Sequence, residues 1–226
     1  MPIAHQLPLA IGLHDSATFD NFLVGGNASA CHALQGQDEP FVYLWGAQAC
    51  GKSHLLQAAC HREDAQGGRA VYLPLAELMA YSPQLIEGME QMSLVCVDDV
   101  QLLRADEAWQ QAIFHLYNRL REQGRRLIAA GDAAPNALGL SLLDLVSRLG
   151  WGPVFRLTAL DDAQMAQALQ QRAHARGMLM SDEVARYLLA HGPRDMHGLF
   201  TLLERIDERS LIEQRRLTIP FVRQLL

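Results

Sequence analysis

The residues best equipped for chemistry lie in one run, Gly46-Ala47-Gln48-Ala49-Cys50-Gly51-Lys52-Ser53, with His54 next. Glycine, four residues, glycine, lysine and serine make a P-loop. A triphosphate needs many donors that carry no negative charge of their own. Gly46 and Gly51 let the backbone curl so that successive N–H groups converge. A helix that starts there adds its positive N-terminus. Lys52 would reach the β- and γ-phosphates, and the Ser53 hydroxyl would ligate Mg²⁺. The alternative is a plain glycine-rich turn, against which the length of the motif and the fit of its flanks both speak. The expectation is a purine nucleotide with Mg²⁺.

A second chemical stretch is Ser93-Leu94-Val95-Cys96-Val97-Asp98-Asp99, an apolar strand that ends in two carboxylates. Asp98 at the strand tip would hold Mg²⁺, usually through water. Asp99 would orient an attacking water. The plainer alternative is a pair of strand-end acids. Asp132 follows the apolar run 126–130. A polar side chain on that strand end would lie between the two phosphate-binding elements and could sense a γ-phosphate. Phe19 and Phe22 precede a helix expected over 28–34. They could wall the nucleotide base or simply staple that helix to the core, and the sequence leaves both open.

Composition narrows the setting. The chain has 226 residues, enough for one large domain or two small ones, and half of them are hydrophobic. No apolar run approaches the roughly 20 residues of a membrane span, so no membrane partner is expected. No basic stretch leads into an apolar one at the N-terminus, so no signal peptide is expected. Net charge is −6, from 19 basic and 25 acidic residues. That argues against broad binding of a phosphate backbone by this chain alone. Cys31, Cys50, Cys60 and Cys96 form no C-x-x-C pair and fit reduced thiols of a cytoplasmic protein. The nine histidines show no zinc spacing.

The elements that must position these residues alternate. Strands are expected over 41–45, 69–73, 93–99, 126–130 and 154–157. Helices are expected after the P-loop, over 83–89, over 107–123 and over 141–149. The helix over 107–123 has apolar residues at 109, 112, 113, 116, 117 and 120. Strand–helix alternation implies a parallel sheet covered on both faces. From Thr158 the pattern turns to helix only: Asp161-Asp162 to about 177, 181 to about 192, 194–211, and 218–226. The domains are therefore expected as an arm over 1–17, an α/β domain over 18–158 and a small helical lid over 159–226. Within the arm, Gln6-Leu7-Pro8-Leu9-Ala10-Ile11 could lay leucines in apolar pockets while the Gln6 amide makes directional bonds. Pro8 would lower its ordering cost. The pattern is common, and from these residues alone an arm packed on its own domain is preferred.

The P-loop, the paired aspartates, the polar strand end and the lid together resemble the AAA+ ATPases. Thr18-Phe19-Asp20-Asn21-Phe22, the run from Asp98 to Leu103, and Ser147-Arg148-Leu149-Gly150-Trp151-Gly152 are similar to the bacterial replication initiator DnaA, over 18–226. No counterpart of the initiator's DNA-binding helix-turn-helix is expected after the lid. The arm resembles a sliding-clamp-binding peptide. This arrangement is similar to the DnaA-related proteins of regulatory inactivation of DnaA. The stretch Thr218-Ile219-Pro220-Phe221-Val222 and Asp195-Met196 with Leu199-Phe200 fit that branch.

The resemblance implies an α/β AAA+ P-loop domain with a five-stranded parallel sheet, followed by an all-helical lid. It implies a negative regulator of chromosome replication initiation, bound to ADP or ATP. Its arm residues Gln6, Leu7, Leu9 and Ile11 would dock on the DNA-loaded sliding clamp, the DNA polymerase III beta subunit, and the preference for the arm reverses accordingly. Arg148 matches the family's arginine finger and would promote hydrolysis of ATP held by DnaA. Its alternative role is to compensate the dipole of its own helix. DNA contact would be indirect or weak, and self-association is left open. His197 stands where the lid of such proteins usually carries a phosphate-facing arginine, with Arg194 one turn earlier. A neutral imidazole grips phosphate less well than a guanidinium, which implies weak hydrolysis by the chain itself and activity with ADP bound. The competing reading is a self-contained DNA-remodelling ATPase such as a helicase loader, which predicts a helicase-contacting N-terminal domain and a basic surface. A small-molecule kinase would leave the finger and the lid without a purpose.

Overall fold

The computed structural model describes residues 17–193, 196–213 and 217–226. The arm residues Gln6, Leu7, Leu9 and Ile11 lie outside the described residues, as does Arg194. Helix α1 (Ala28–Gln35) leads to β1 (Phe41–Trp45), α2 (Lys52–Ala65), β2 (Ala70–Pro74) and the single turn α3 (Leu75–Leu78). Then come β3 (Leu94–Asp98), α4 (Glu107–Glu122), β4 (Arg126–Gly131), α5 (Leu143–Leu149) and β5 (Val154–Arg156). The lid comprises α6 (Asp162–Ala175), α7 (Asp182–His191), α8 (Met196–Glu213) and α9 (Ile219–Val222).

The five strands form one parallel sheet in the order β2-β3-β4-β1-β5. Side chains on a strand alternate between faces, and the core follows that parity. Tyr43, Val95, Val97, Leu127 and Ala129 face α4 and α5, where Trp109, Ile113, Leu116, Tyr117 and Leu120 close the layer. Val42, Leu44, Leu94, Cys96, Ile128 and Ala130 face the opposite way, onto Leu34 of α1 and Leu55, Leu56 and Cys60 of α2. Because both faces are covered, all five residues of β3 are buried. This order sets the C-terminal ends of β1 and β3 on either side of β4. Ligands of open α/β sheets bind outside the carboxyl ends of the strands.

The lid has its own core of Leu169, Leu188, Leu203, Ile206 and Val222. Its first helix starts at a capping box, in which the Asp161 side chain accepts from the Gln164 amide and the Gln164 side chain accepts from Asp161. Among the described residues no helix is long and apolar enough to cross a membrane.

Several element boundaries differ from the sequence expectation. The stretch 83–89 is not one helix. Two 3-10 turns, Pro83–Ile86 and Met89–Gln91, are separated at Gly88, whose φ of +85° no continuing helix can hold. Helix α5 starts two residues late, at Leu143. The Ser141 hydroxyl and the Leu142 amide both donate to Gln110 Oε1 instead, which holds them outside the helix. Strand β2 sits one residue later than expected. Thr218 makes no side-chain cap, and α9 is a single turn rather than a helix to the C-terminus. The expected third lid helix is seen from Met196.

Candidate nucleotide-binding site

The loop between β1 and α2 is shaped by close approach as much as by chain flexibility. A Cβ on Gly46 would lie 2.7 Å from the Leu157 carbonyl oxygen and 2.9 Å from Cys50 Sγ. A Cβ on Gly51 would lie 2.6 Å from the Phe22 ring, and Gly51 has a φ of +94°. Ala49, between Gln48 and Cys50, also takes a left-handed φ, +61°. A non-glycine residue there costs on the order of 1–2 kcal/mol. Such strain persists where the surrounding structure demands it. Alternation of hand along a loop is what turns successive N–H groups toward one anion. Lys52 Nζ donates to the Gly46 carbonyl at 2.9 Å and the Ala47 carbonyl at 2.8 Å. Those two bonds hold the ammonium against the loop.

Ser53, on the first turn of α2, hydrogen-bonds the carboxylate of Asp98 at the end of β3. Asp98 is 1% exposed. Its Oδ2 accepts from the Tyr72 hydroxyl at 2.8 Å and its Oδ1 from the Asp99 amide at 2.9 Å. Burial pushes the Asp98 carboxyl up, while the bonds from Ser53 and Tyr72 pull it back. A divalent cation on that carboxylate would favour its charged form further. One hydroxyl and one carboxylate side by side fit Mg²⁺, which takes few protein ligands and completes its shell with phosphate oxygens and water. Asp99 has a φ of +58° and turns the chain out of the strand, and its Oδ1 accepts from Gln101 Nε2 at 2.8 Å.

Asp132 follows directly on β4, between the P-loop strand and the Asp98 strand. Its two carboxylate oxygens accept from Arg104 Nη2 at 2.9 and 2.8 Å. Arg104 thus neutralises a charge that would otherwise repel a phosphate in the neighbourhood. The sequence reading missed Arg104. It lies on the 3-10 turn Val100–Ala105, too short to show a period.

Phe19 and Phe22 pack against the α2-side core, as a staple would. Phe22 does more, because its ring also lies over Gly51 and 5.3 Å from the His54 ring. His54 Nε2 donates to the Thr18 carbonyl at 2.8 Å, and burial pushes this imidazole below its usual range, toward the neutral form. The segment 18–22 is thereby clamped to the start of α2. Further along, Asn27 is buried and binds Thr158 three ways. Its Nδ2 donates to the Thr158 carbonyl at 3.1 Å, and its Oδ1 accepts from the Thr158 amide at 2.9 Å and the hydroxyl at 3.2 Å. This joins the segment before α1 to the stretch between β5 and α6. An asparagine after Gly25-Gly26 was the only sequence cue.

Arg148 stands apart from these residues. It ends α5, where its charge also suits the helix dipole. Its guanidinium carbon lies 4.9 Å from the centroid of the Trp151 ring, and that of Arg121 lies 3.9 Å from the same centroid. Trp151 is 55% exposed. The next residue, Gly152, packs on the backbone of Phe41, the first residue of β1. The P-loop follows the last residue of that strand. Four steps of about 3.3 Å separate the two ends, about 13 Å. Arg148 therefore lies at the far end of the sheet from this chain's own loop. His197 is the second residue of α8.

Comparison with known proteins matches residues 13–156 to the bacterial DnaA ATPase domain and residues 162–226 to the lid domain of Hda. Domain III of the Thermotoga maritima initiator DnaA superposes with a TM-score of 0.79 at 21% identity, over 95% of this chain and 97% of that one. AMPPCP-bound DnaA from Aquifex aeolicus gives 0.71 at 26% identity, over 90% of this chain and 71% of that one. The RuvB branch-migration motor of Thermotoga maritima shares the fold, with a TM-score of 0.66 at 14% identity over 92% of this chain and 70% of that one. The five-stranded parallel sheet, the helical lid and these matches agree, and the chain belongs to the DnaA-related AAA+ proteins, with a DnaA-type ATPase domain and an Hda-type lid.

Proposed function

We propose that this protein is a nucleotide-bound negative regulator of replication initiation, tethered to the DNA-loaded sliding clamp, that promotes hydrolysis of ATP held by DnaA. The observation that carries the proposal is the position of Arg148. It sits at the opposite end of the sheet from this chain's own P-loop, beside an exposed tryptophan. Such a position suits an arginine that acts on a nucleotide held by another molecule. The match to the DnaA ATPase domain supports an initiator of the same fold as the partner. Within this chain, the loop 46–53 with Lys52 would cradle the phosphates, Ser53 and Asp98 would hold Mg²⁺, and the ion would neutralise phosphate charge. Asp99 and Asp132, each held by a neighbouring polar side chain, flank that place. Phe22 and His54 border the loop, and either His197 or Arg194 would take the phosphate-facing role of the lid. The test is release of labelled phosphate from DnaA-bound ATP, with clamp loaded on DNA. Addition of this protein should accelerate it, and no acceleration would remove the regulator reading.

Two further outcomes follow. Turnover of ATP by the protein alone should be slow, and ADP should support its action on DnaA at least as well as ATP. The reason is His197, a histidine at the position where the resemblance leads one to expect a lid arginine. Brisk turnover without DnaA and clamp would contradict this. Separately, Gln6→Ala combined with Leu7→Ala should abolish co-elution with the clamp and leave the melting temperature unchanged, because both residues precede the stretch matched to the ATPase domain, which begins at residue 13. Continued co-elution would assign the arm to some other role.

A further inference from the structure

The structure assigns Tyr72 to the metal-facing carboxylate as a positioning residue: its hydroxyl fixes the plane in which Asp98 presents itself beside Ser53. This rests on the nucleotide-binding part of the proposed function. Strands β2 and β3 are parallel neighbours, with Tyr72 opposite Cys96 and Pro74 opposite Asp98. Cys96 faces the α2 side, and strand parity puts Asp98 there too. Tyr72 packs on the same side, so it lies diagonally across from Asp98, within reach of a long side chain. The contact is made: Tyr72 Oη donates to Asp98 Oδ2 at 2.8 Å. The Asp99 amide takes Oδ1 at 2.9 Å. A carboxylate with a fixed donor on each oxygen cannot rotate about its last bond. Its remaining lone pairs are then aimed by the scaffold, and Ser53 stands beside them. Outer groups that orient a metal-binding carboxylate commonly set the metal affinity by about 10–100-fold.

The test is Tyr72→Phe, which keeps the ring and removes only the donor. ADP is titrated calorimetrically into the full-length protein, once in excess Mg²⁺ and once in EDTA. The expected result is an unchanged affinity in EDTA and a loss of about tenfold or more in Mg²⁺. Binding of Mn²⁺ to the ADP complex, followed by electron paramagnetic resonance, should weaken in step. In an Asp98→Asn background, Tyr72→Phe should change nothing further in the Mg²⁺ arm. An equal loss in both arms would mark a purely structural tyrosine and overturn the assignment. Tighter binding in Mg²⁺ would overturn it as well, since that is the mark of a hydroxyl competing with the ion. A wild-type protein that binds ADP in neither arm would remove the nucleotide reading and this inference together. The action on DnaA is measured separately by phosphate release, so failure of the regulator reading alone leaves both titration arms intact.

Discussion

Lys52→Ala should lower the affinity for ADP by about 10–100-fold, the worth of a charge-assisted hydrogen bond of about 1.5–3 kcal/mol. The ammonium is the one cation of the loop, and two carbonyls of that loop hold it in place, at 2.8 and 2.9 Å. Alanine removes both the charge and those tethers. The backbone donors remain, as do the hand reversals at Ala49 and Gly51, so binding is weakened rather than erased. The effect also reaches stability. Ligand at a hundredfold over its dissociation constant adds about 2.7 kcal/mol to the native state. After a hundredfold loss of affinity, the same ligand concentration adds only about 0.4 kcal/mol by the same relation. The rise in melting temperature on adding ADP should therefore nearly vanish in the variant, while the ligand-free melting temperature changes little. Calorimetric titration measures the first quantity and thermal unfolding the second. An unchanged affinity would show that the loop 46–53 does not hold phosphate.

The sheet and the P-loop were legible because each depends on short-range pattern. Val95 and Val97 alternate with Leu94, Cys96 and Asp98 on a strand that is buried on both faces, and an apolar run of that length has few other uses. The loop motif states its own geometry, since its spacing is the spacing of the backbone donors. What escaped the sequence depends on contacts between distant residues. Tyr72 meets Asp98 across 26 positions, and Arg104 meets Asp132 across 28. Neither pair has a local signature. Asn27 meets Thr158 across 131. Of the two readings of Phe22, packing on the core is what the structure shows, and a wall for the nucleotide base is a proposal. The ring packs on the core and also lies over Gly51. Helix α5 was expected two residues too long because a helical period cannot show that Gln110 captures Leu142 from another element.

Arg148→Ala should separate binding from activation, and its effect on rate should be the largest of any single change. A finger neutralises charge that develops on the transferring phosphoryl group, so it contributes little to the ground state and much to the transition state. Removing one costs about 10³–10⁵ in rate in related phosphoryl transfers. The geometry fits a finger that acts on a second molecule. Arg148 ends α5 beside Trp151, which is 55% exposed, and its guanidinium carbon lies 4.9 Å from that ring. Arg121 lies over the same ring at 3.9 Å. Two like charges at one aromatic repel each other, and a phosphate on a partner would relieve that repulsion as well as gain a planar donor. Nothing in this arrangement touches the loop 46–53. The variant should accordingly bind ADP, bind the clamp and fold as the wild type does, yet fail to speed phosphate release from DnaA-bound ATP. Arg148→Lys should not rescue it, because an ammonium lacks the planar fork that grips two oxygens together. The alternative role, compensation of the α5 dipole, is worth only about 0.3–1 kcal/mol at an exposed helix end and would be met equally well by lysine. The two substitutions therefore discriminate. If alanine leaves the stimulated rate unchanged, Arg148 serves its own helix alone. If lysine restores the rate, a point charge is enough and the finger geometry is wrong.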